Sequence, residues 1–169
     1  MTGCVYWITG LAGTGKTTVG RTLANMLREQ RPDVAFLDGD SLRAVLGGQH
    51  GYEYQDRLAL ALSYARLCKM LADQKLTVVC ATVSMFEAVR AWNRSHISRY
   101  REVYLTAPEA LLNERRPFYT DGSDRRLVVG HDPRYELPKA PDVTVHNDGS
   151  QSPEDIARNI LLLVGESKQ

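Results

Sequence analysis

Two rhythms of apolar residues alternate along the chain. Cys4-Val5-Tyr6-Trp7-Ile8-Thr9 is a short run of β-branched and aromatic residues, the pattern of a buried strand, and Val19-Gly20-Arg21-Thr22-Leu23-Ala24-Asn25-Met26-Leu27 follows with a helical pattern. After a break at Arg31-Pro32-Asp33, Val34-Ala35-Phe36-Leu37 predicts a second buried strand, residues 41–46 a short helix, and residues 47–51 a flexible connection. Apolar positions at Leu58, Leu62, Ala65, Leu67, Met70 and Leu71 predict a long helix over residues 55–74, packed on a sheet. Residues 76–83 form the clearest strand pattern, residues 86–99 a helix, and residues 102–105 the next strand. Pro108 suits a first helical turn, where its missing N–H costs little, and opens a helix to about residue 115. Residues 116–141 carry no periodicity. Val143-Thr144-Val145 is a last short strand, and Ser152 as N-cap, with Asp155 three residues on, starts a terminal helix through about residue 164.

Such alternation predicts an α/β fold, with a central parallel sheet and helices on both faces. Residues 1–169 are read as one domain, because a chain of this size can bury a substantial core alone. The 21 basic and 20 acidic side chains nearly cancel, which removes the long-range positive field that nucleic acid or an anionic membrane would favour, and neither is an expected partner. With no apolar stretch of bilayer-spanning length and no signal-peptide pattern at residue 1, a cytoplasmic location is expected. Cys4, Cys68 and Cys80 lie in apolar runs without metal-ligand spacing and are expected as buried free thiols.

Candidate chemistry begins where the first strand ends. Gly10-Leu11-Ala12-Gly13-Thr14-Gly15-Lys16-Thr17, set between a strand and a helix, has the spacing of a phosphate-binding P-loop. In such a loop backbone N–H groups curl around phosphates, a lysine reaches the β/γ oxygens and a hydroxyl ligates Mg²⁺. Gly10, Ala12, Gly13, Thr14, Gly15, Lys16, Thr17 and Thr18 are therefore assigned to ATP, and the fold class becomes a three-layer P-loop NTPase fold.

In open α/β sheets the ligand crevice lies beyond the carboxyl ends of the strands, which puts Asp38-Gly39-Asp40 on the same side as the loop. Phosphoryl transfer to a hydroxyl uses a carboxylate near the attacking oxygen. Lys16, Asp38 and Asp40 form the candidate catalytic set, with Asp38 joining Thr17 at the metal, through water. A simple turn with a helix cap at Asp40 is the alternative. Arg43, Arg57, Arg115, Arg116, Arg125 and Arg126 are candidate anion-holding groups, since guanidinium forks match phosphate and sulfate. The last four suggest a lid at about residues 115–130 that closes to exclude water; an exposed basic loop is the alternative. His50, His96, His131 and His146 are scattered, and none is assigned a catalytic role.

In order and spacing, Trp7-Ile8-Thr9-Gly10-Leu11-Ala12-Gly13-Thr14-Gly15-Lys16-Thr17-Thr18, Leu37-Asp38-Gly39-Asp40-Ser41-Leu42-Arg43, Gly51-Tyr52 with Asp56-Arg57, Val83-Ser84 and Tyr135-Glu136-Leu137-Pro138 together resemble adenylylsulfate kinases. The likeness runs over about residues 5–163. It implies an enzyme that uses MgATP to phosphorylate the ribose 3′-hydroxyl of a small-molecule nucleotide acceptor, adenylyl sulfate. It further implies Asp40 with Asp38 at the acceptor hydroxyl and metal, Arg43 and Arg57 on the acceptor's anionic groups, and Tyr52 stacked on its base where the family usually has phenylalanine. Ser84 takes the position sometimes assigned as a phosphoserine intermediate. It is read here as a hydrogen-bonding acceptor contact in direct in-line transfer, because nothing adjacent in sequence looks like its activating base. A homodimer is an assembly the resemblance implies.

Departures from the family pattern gather on the acceptor side. Leu60 replaces an asparagine, Met85 a proline, and Val128 a second base-stacking phenylalanine, while Arg115-Arg116-Pro117-Phe118-Tyr119 shortens the lid entry. Another activated nucleotide, such as cytidine diphosphoramidate, is therefore an alternative acceptor. Two readings of other kinds stay open: a regulatory module that binds ATP without transfer, and a small-molecule kinase of gluconate or shikimate type.

Overall fold

The computed structural model describes residues 3–46, 53–115 and 135–165. Five strands, β1 (Val5–Thr9), β2 (Val34–Asp38), β3 (Thr77–Ala81), β4 (Tyr100–Thr106) and β5 (Val143–His146), interleave with six helices among these residues. The helices are α1 (Lys16–Arg28), α2 (Gly39–Leu46), α3 (Tyr54–Asp73), α4 (Glu87–His96), α5 (Glu109–Arg115) and α6 (Pro153–Leu163). All strand pairs are parallel, in the order β2-β3-β1-β4-β5. Parallel neighbours need crossovers, and the helices supply them on both faces.

β1 is the central strand and is wholly buried, which explains why its sequence is continuously apolar. Its side chains divide by parity between two cores. Tyr6 and Ile8 pack with Val19, Leu23 and Leu27 of α1 and with Ile156 and Ile160 of α6. Val5 and Trp7 pack on the other side with Leu60, Ala65 and Cys68 of α3 and Val89 of α4. The expected three-layer α/β fold is thus observed, and the three cysteines are buried and form no disulfide.

Several boundaries differ from the pattern reading, α2 and β4 among them by beginning two residues early, and three of the differences have a physical reason. β3 stops at Ala81 instead of residue 83, because Asp38 of β2 and Ile8 of β1, both opposite Ala81, are the last residues of those strands to pair with it. α4 ends at His96, where Ile97 turns extended and buried and the chain enters β4 at Tyr100, opposite Val5. α1 begins at Lys16, three residues earlier than the apolar pattern, since the phosphate loop opens directly into the helix. Ser152 caps α6 as expected, its hydroxyl accepting the Asp155 N–H at 3.1 Å.

Candidate active site

Parallel strands bring all five carboxyl ends to one edge, and the loops there build two adjoining cavities. The larger, ≈ 690 Å³, is lined by Gly13, Gly15, Lys16, Thr17 and Thr18 of the phosphate loop, by Asp38 and Asp40, and by Arg115 and Asn147. Gly10 and Gly15 have φ of +153° and +95°, which L side chains rarely adopt. A Cβ on Gly10 would lie 2.1 Å from the Leu105 carbonyl, and one on Gly15 would lie 2.7 Å from the Asn147 amide nitrogen. The loop is therefore pressed between β4 and the end of β5. Thr14 braces it from within, its hydroxyl donating to the Leu11 carbonyl at 2.9 Å. Lys16 is nearly buried and its ammonium donates to the same carbonyl at 2.7 Å.

Two further contacts complete the loop's frame. The Asn147 amide donates to the Thr14 carbonyl at 2.9 Å, and Arg115, at the end of α5, donates to the Gly13 carbonyl at 3.2 Å. Beside the loop, the Thr17 hydroxyl donates to an Asp38 carboxylate oxygen at 2.6 Å. The other Asp38 oxygen accepts the Ser41 N–H at 3.4 Å, so Asp38 faces the first turn of α2. Asp40 lies in that turn and is exposed to the cleft.

The second cavity, ≈ 140 Å³, is lined by Arg43, Arg57, Leu60, Tyr64, Ser84 and Tyr135 among others. Gly39, Asp40, Thr82 and Val83 line both cavities, so they are the wall where the two meet. Thr82 and Ser84 are buried and their hydroxyls lie 2.8 Å apart. The strand-three extension that carries them is tied down by Thr9, whose hydroxyl donates to the Val83 carbonyl at 2.6 Å.

A polar strap holds Tyr135 at this cavity. The Glu136 N–H donates to the Met85 carbonyl at 2.9 Å, and its carboxylate accepts the Glu87 N–H at 2.6 Å, capping α4. Arg90, buried at 2% exposure, donates to the Glu136 carbonyl at 2.9 Å and pairs with Glu87 at 2.7 Å. Below it lies Glu102, 1% exposed, 3.7 Å from Arg90 and 2.8 Å from Arg94. Burial pushes the Glu102 carboxyl above its ordinary value, against the pull of Arg94 and Arg90.

Of the residues singled out from the sequence, Lys16, Thr17, Asp38, Asp40 and Arg115 come together at the larger cavity, and Asp40, Arg43, Arg57 and Ser84 at the smaller. Tyr52, Arg116, Arg125 and Arg126, with most of the expected lid, lie outside the described residues, as do Val128, His50 and His131. His96 stacks on Trp92 and His146 contacts the Thr106 hydroxyl, and neither lines either cavity. Sequence reasoning missed Tyr64, Thr82, Arg90 and Asn147. Asn147 had a usable signal: it directly follows the last strand, where the carboxyl-end rule applies as well as it does at Asp38. Tyr64 had none, since it falls on the apolar stripe of α3 like a packing residue.

The family model for adenylylsulphate kinase matches residues 2–146. Among curated proteins, the chain is 34% identical over 161 residues to a cytidine diphosphoramidate kinase of Campylobacter jejuni, spanning 93% of this chain and 94% of the relative. It is 30% identical over 165 residues to a probable adenylyl-sulfate kinase of Pyrococcus abyssi, spanning 95% and 94%. The solved structure of the APS kinase of Mycobacterium tuberculosis in complex with AMPPNP and APS is similar at a TM-score of 0.84 and 27% identity, over 98% of this chain and 99% of that one.

Proposed function

The chain belongs to the adenylylsulphate kinase family, and from that premise we propose that it transfers the γ-phosphoryl group of ATP to the ribose 3′-hydroxyl of cytidine diphosphoramidate. That it is an ATP-dependent kinase with a hydroxyl acceptor follows from the family itself. The observation that carries the reading of the site is the shared wall: Asp40 lines the phosphate-loop cavity and the smaller cavity at once. A carboxylate at that junction is placed to orient an acceptor hydroxyl towards a phosphoryl group held by the loop.

Lys16 compensates charge at the β/γ phosphates, and Arg43 and Arg57 hold the acceptor's anionic groups. The Ser84 hydroxyl has the Thr82 hydroxyl as its near partner, and a neutral hydroxyl is no base; this favours an acceptor contact over a covalent intermediate. From the sequence motifs Tyr52 is assigned to the acceptor base and Arg115, Arg116, Arg125 and Arg126 to a lid, and of these Arg115 alone lies among the described residues. Thr17 and Asp38 form a hard-oxygen pair that would hold Mg²⁺. Such an ion would supply charge neutralisation at the phosphate oxygens.

The choice of acceptor rests on where the family departures fall. Leu60 and Met85 both line the smaller cavity, so the change from the family pattern is concentrated on the acceptor wall while the phosphate loop keeps its motif. The relative at 34% identity, a cytidine diphosphoramidate kinase, points the same way. Adenylyl sulfate stands as the second reading, favoured by the likeness to an APS kinase with APS bound. The test is acceptor-dependent ADP release with MgATP, comparing kcat/KM for the two nucleotides. A higher value for cytidine diphosphoramidate is expected, and a higher value for adenylyl sulfate establishes the second reading instead.

A further inference from the structure

The geometry points to Tyr64 as a specificity-determining residue of the acceptor cavity, its phenolic hydroxyl forming a hydrogen bond to the bound nucleotide acceptor. This rests on the reading of the smaller cavity as the acceptor site. Tyr64 and Leu60 lie one turn apart on α3 and share a face. Both line the cavity with Asp40, Arg43 and Ser84. A long helical side chain leans towards the helix N-terminus, over the preceding turn, which directs the ring of Tyr64 across Leu60.

The hydroxyl itself supplies the second observation. Tyr64 is only 4% exposed, yet its oxygen has no hydrogen-bond partner among the described residues. The phenol lies within electrostatic reach of Arg43 and Asp40, and all three residues line the cavity. An unpartnered hydroxyl at a buried position is a cost that phenylalanine would avoid. A ligand that brings a polar atom to that point removes the cost.

The chemistry required there is specific. Arg43 and Arg57 can only donate, and Leu60 can do neither, whereas a phenol both donates and accepts. Burial pushes the Tyr64 phenol up to about 12, against the pull of Arg43, so it keeps its proton at neutral pH. Tyr64 therefore restores, one turn along α3, a polar contact at a wall where Leu60 offers none.

The experiment is Tyr64→Phe in the full chain, with steady-state constants for ATP and for whichever nucleotide the wild-type enzyme turns over best, and the thermal unfolding midpoint. The expected result is an acceptor kcat/KM lowered about tenfold, the size of one hydrogen bond, with the KM for ATP unchanged and the midpoint not lowered. An unchanged acceptor kcat/KM overturns the proposal. So does a parallel loss of ATP affinity, acceptor affinity and midpoint, which would mark Tyr64 as a packing residue. Scoring on the best wild-type acceptor separates this test from the choice between cytidine diphosphoramidate and adenylyl sulfate, and a wild-type enzyme that phosphorylates neither overturns both readings.

Discussion

A planar trans peptide couples its two edges, so the Asn147 amide that holds the Thr14 carbonyl also holds the Gly15 N–H pointing the opposite way. Asn147→Asp keeps the shape and removes the donor, and it adds negative charge beside the phosphate site. The KM for ATP should rise about tenfold or more while the acceptor KM stays put, measured by ADP release at saturating levels of each partner in turn. Lys16→Ala should lower kcat by at least about a hundredfold, with the circular dichroism spectrum unchanged; near-normal turnover would remove Lys16 from the chemistry. At this scale the sequence was uneven in what it disclosed. Lys16, Thr17, Asp38 and Asp40 were legible because motif spacing fixes which backbone carries them. Tyr64 was not, because the polar tip of a buried tyrosine leaves no trace in a hydrophobic pattern.

Among the elements, the strap over α4 carries a stability prediction. Arg90→Met would leave Glu102 buried with Arg94 as its main cation and would release the Glu136 carbonyl. Removing one partner of a buried pair costs about 3 kcal/mol, which for a domain of this size lowers the unfolding midpoint by roughly 6–12 °C. Because the strap places Tyr135, the acceptor KM should rise as well, with ATP affinity little changed. α6 carries a pH prediction. The Ser152 hydroxyl, then the Arg158 guanidinium, hold the Asp155 carboxyl below its ordinary value. Its contribution is therefore present above about pH 3.9 and is lost as pH falls through the lowered folded value. Asp155→Asn should flatten that acid limb of the unfolding curve; an identical limb in both proteins would contradict it. The elements were legible because strand and helix periods differ, while their ends were set by neighbours: β3 stops at Ala81, its last residue with a partner on both β1 and β2.

For the whole molecule, alternation of strands and helices implied a parallel sheet, but the order β2-β3-β1-β4-β5 was not written in any local pattern. That order is what sets β4 and β5 beside β1, so that Asn147 meets Thr14 across 133 residues of chain. It also sets Asp38 and the Thr82–Ser84 segment next to the phosphate loop, giving two cavities with Asp40 between them. No helix among the described residues is long and apolar enough to cross a membrane. In the proposed function these two cavities hold donor and acceptor on either side of one wall. The most direct measurement of that arrangement is acceptor-dependent ADP release with MgATP, for wild type and Asp40→Asn, with cytidine diphosphoramidate and adenylyl sulfate as acceptors. Wild type should turn over at least the first nucleotide rapidly, and the variant should lose about a hundredfold or more in kcat with ATP binding retained. Wild-type turnover that Asp40→Asn leaves unchanged, or no turnover of either nucleotide, would contradict that arrangement.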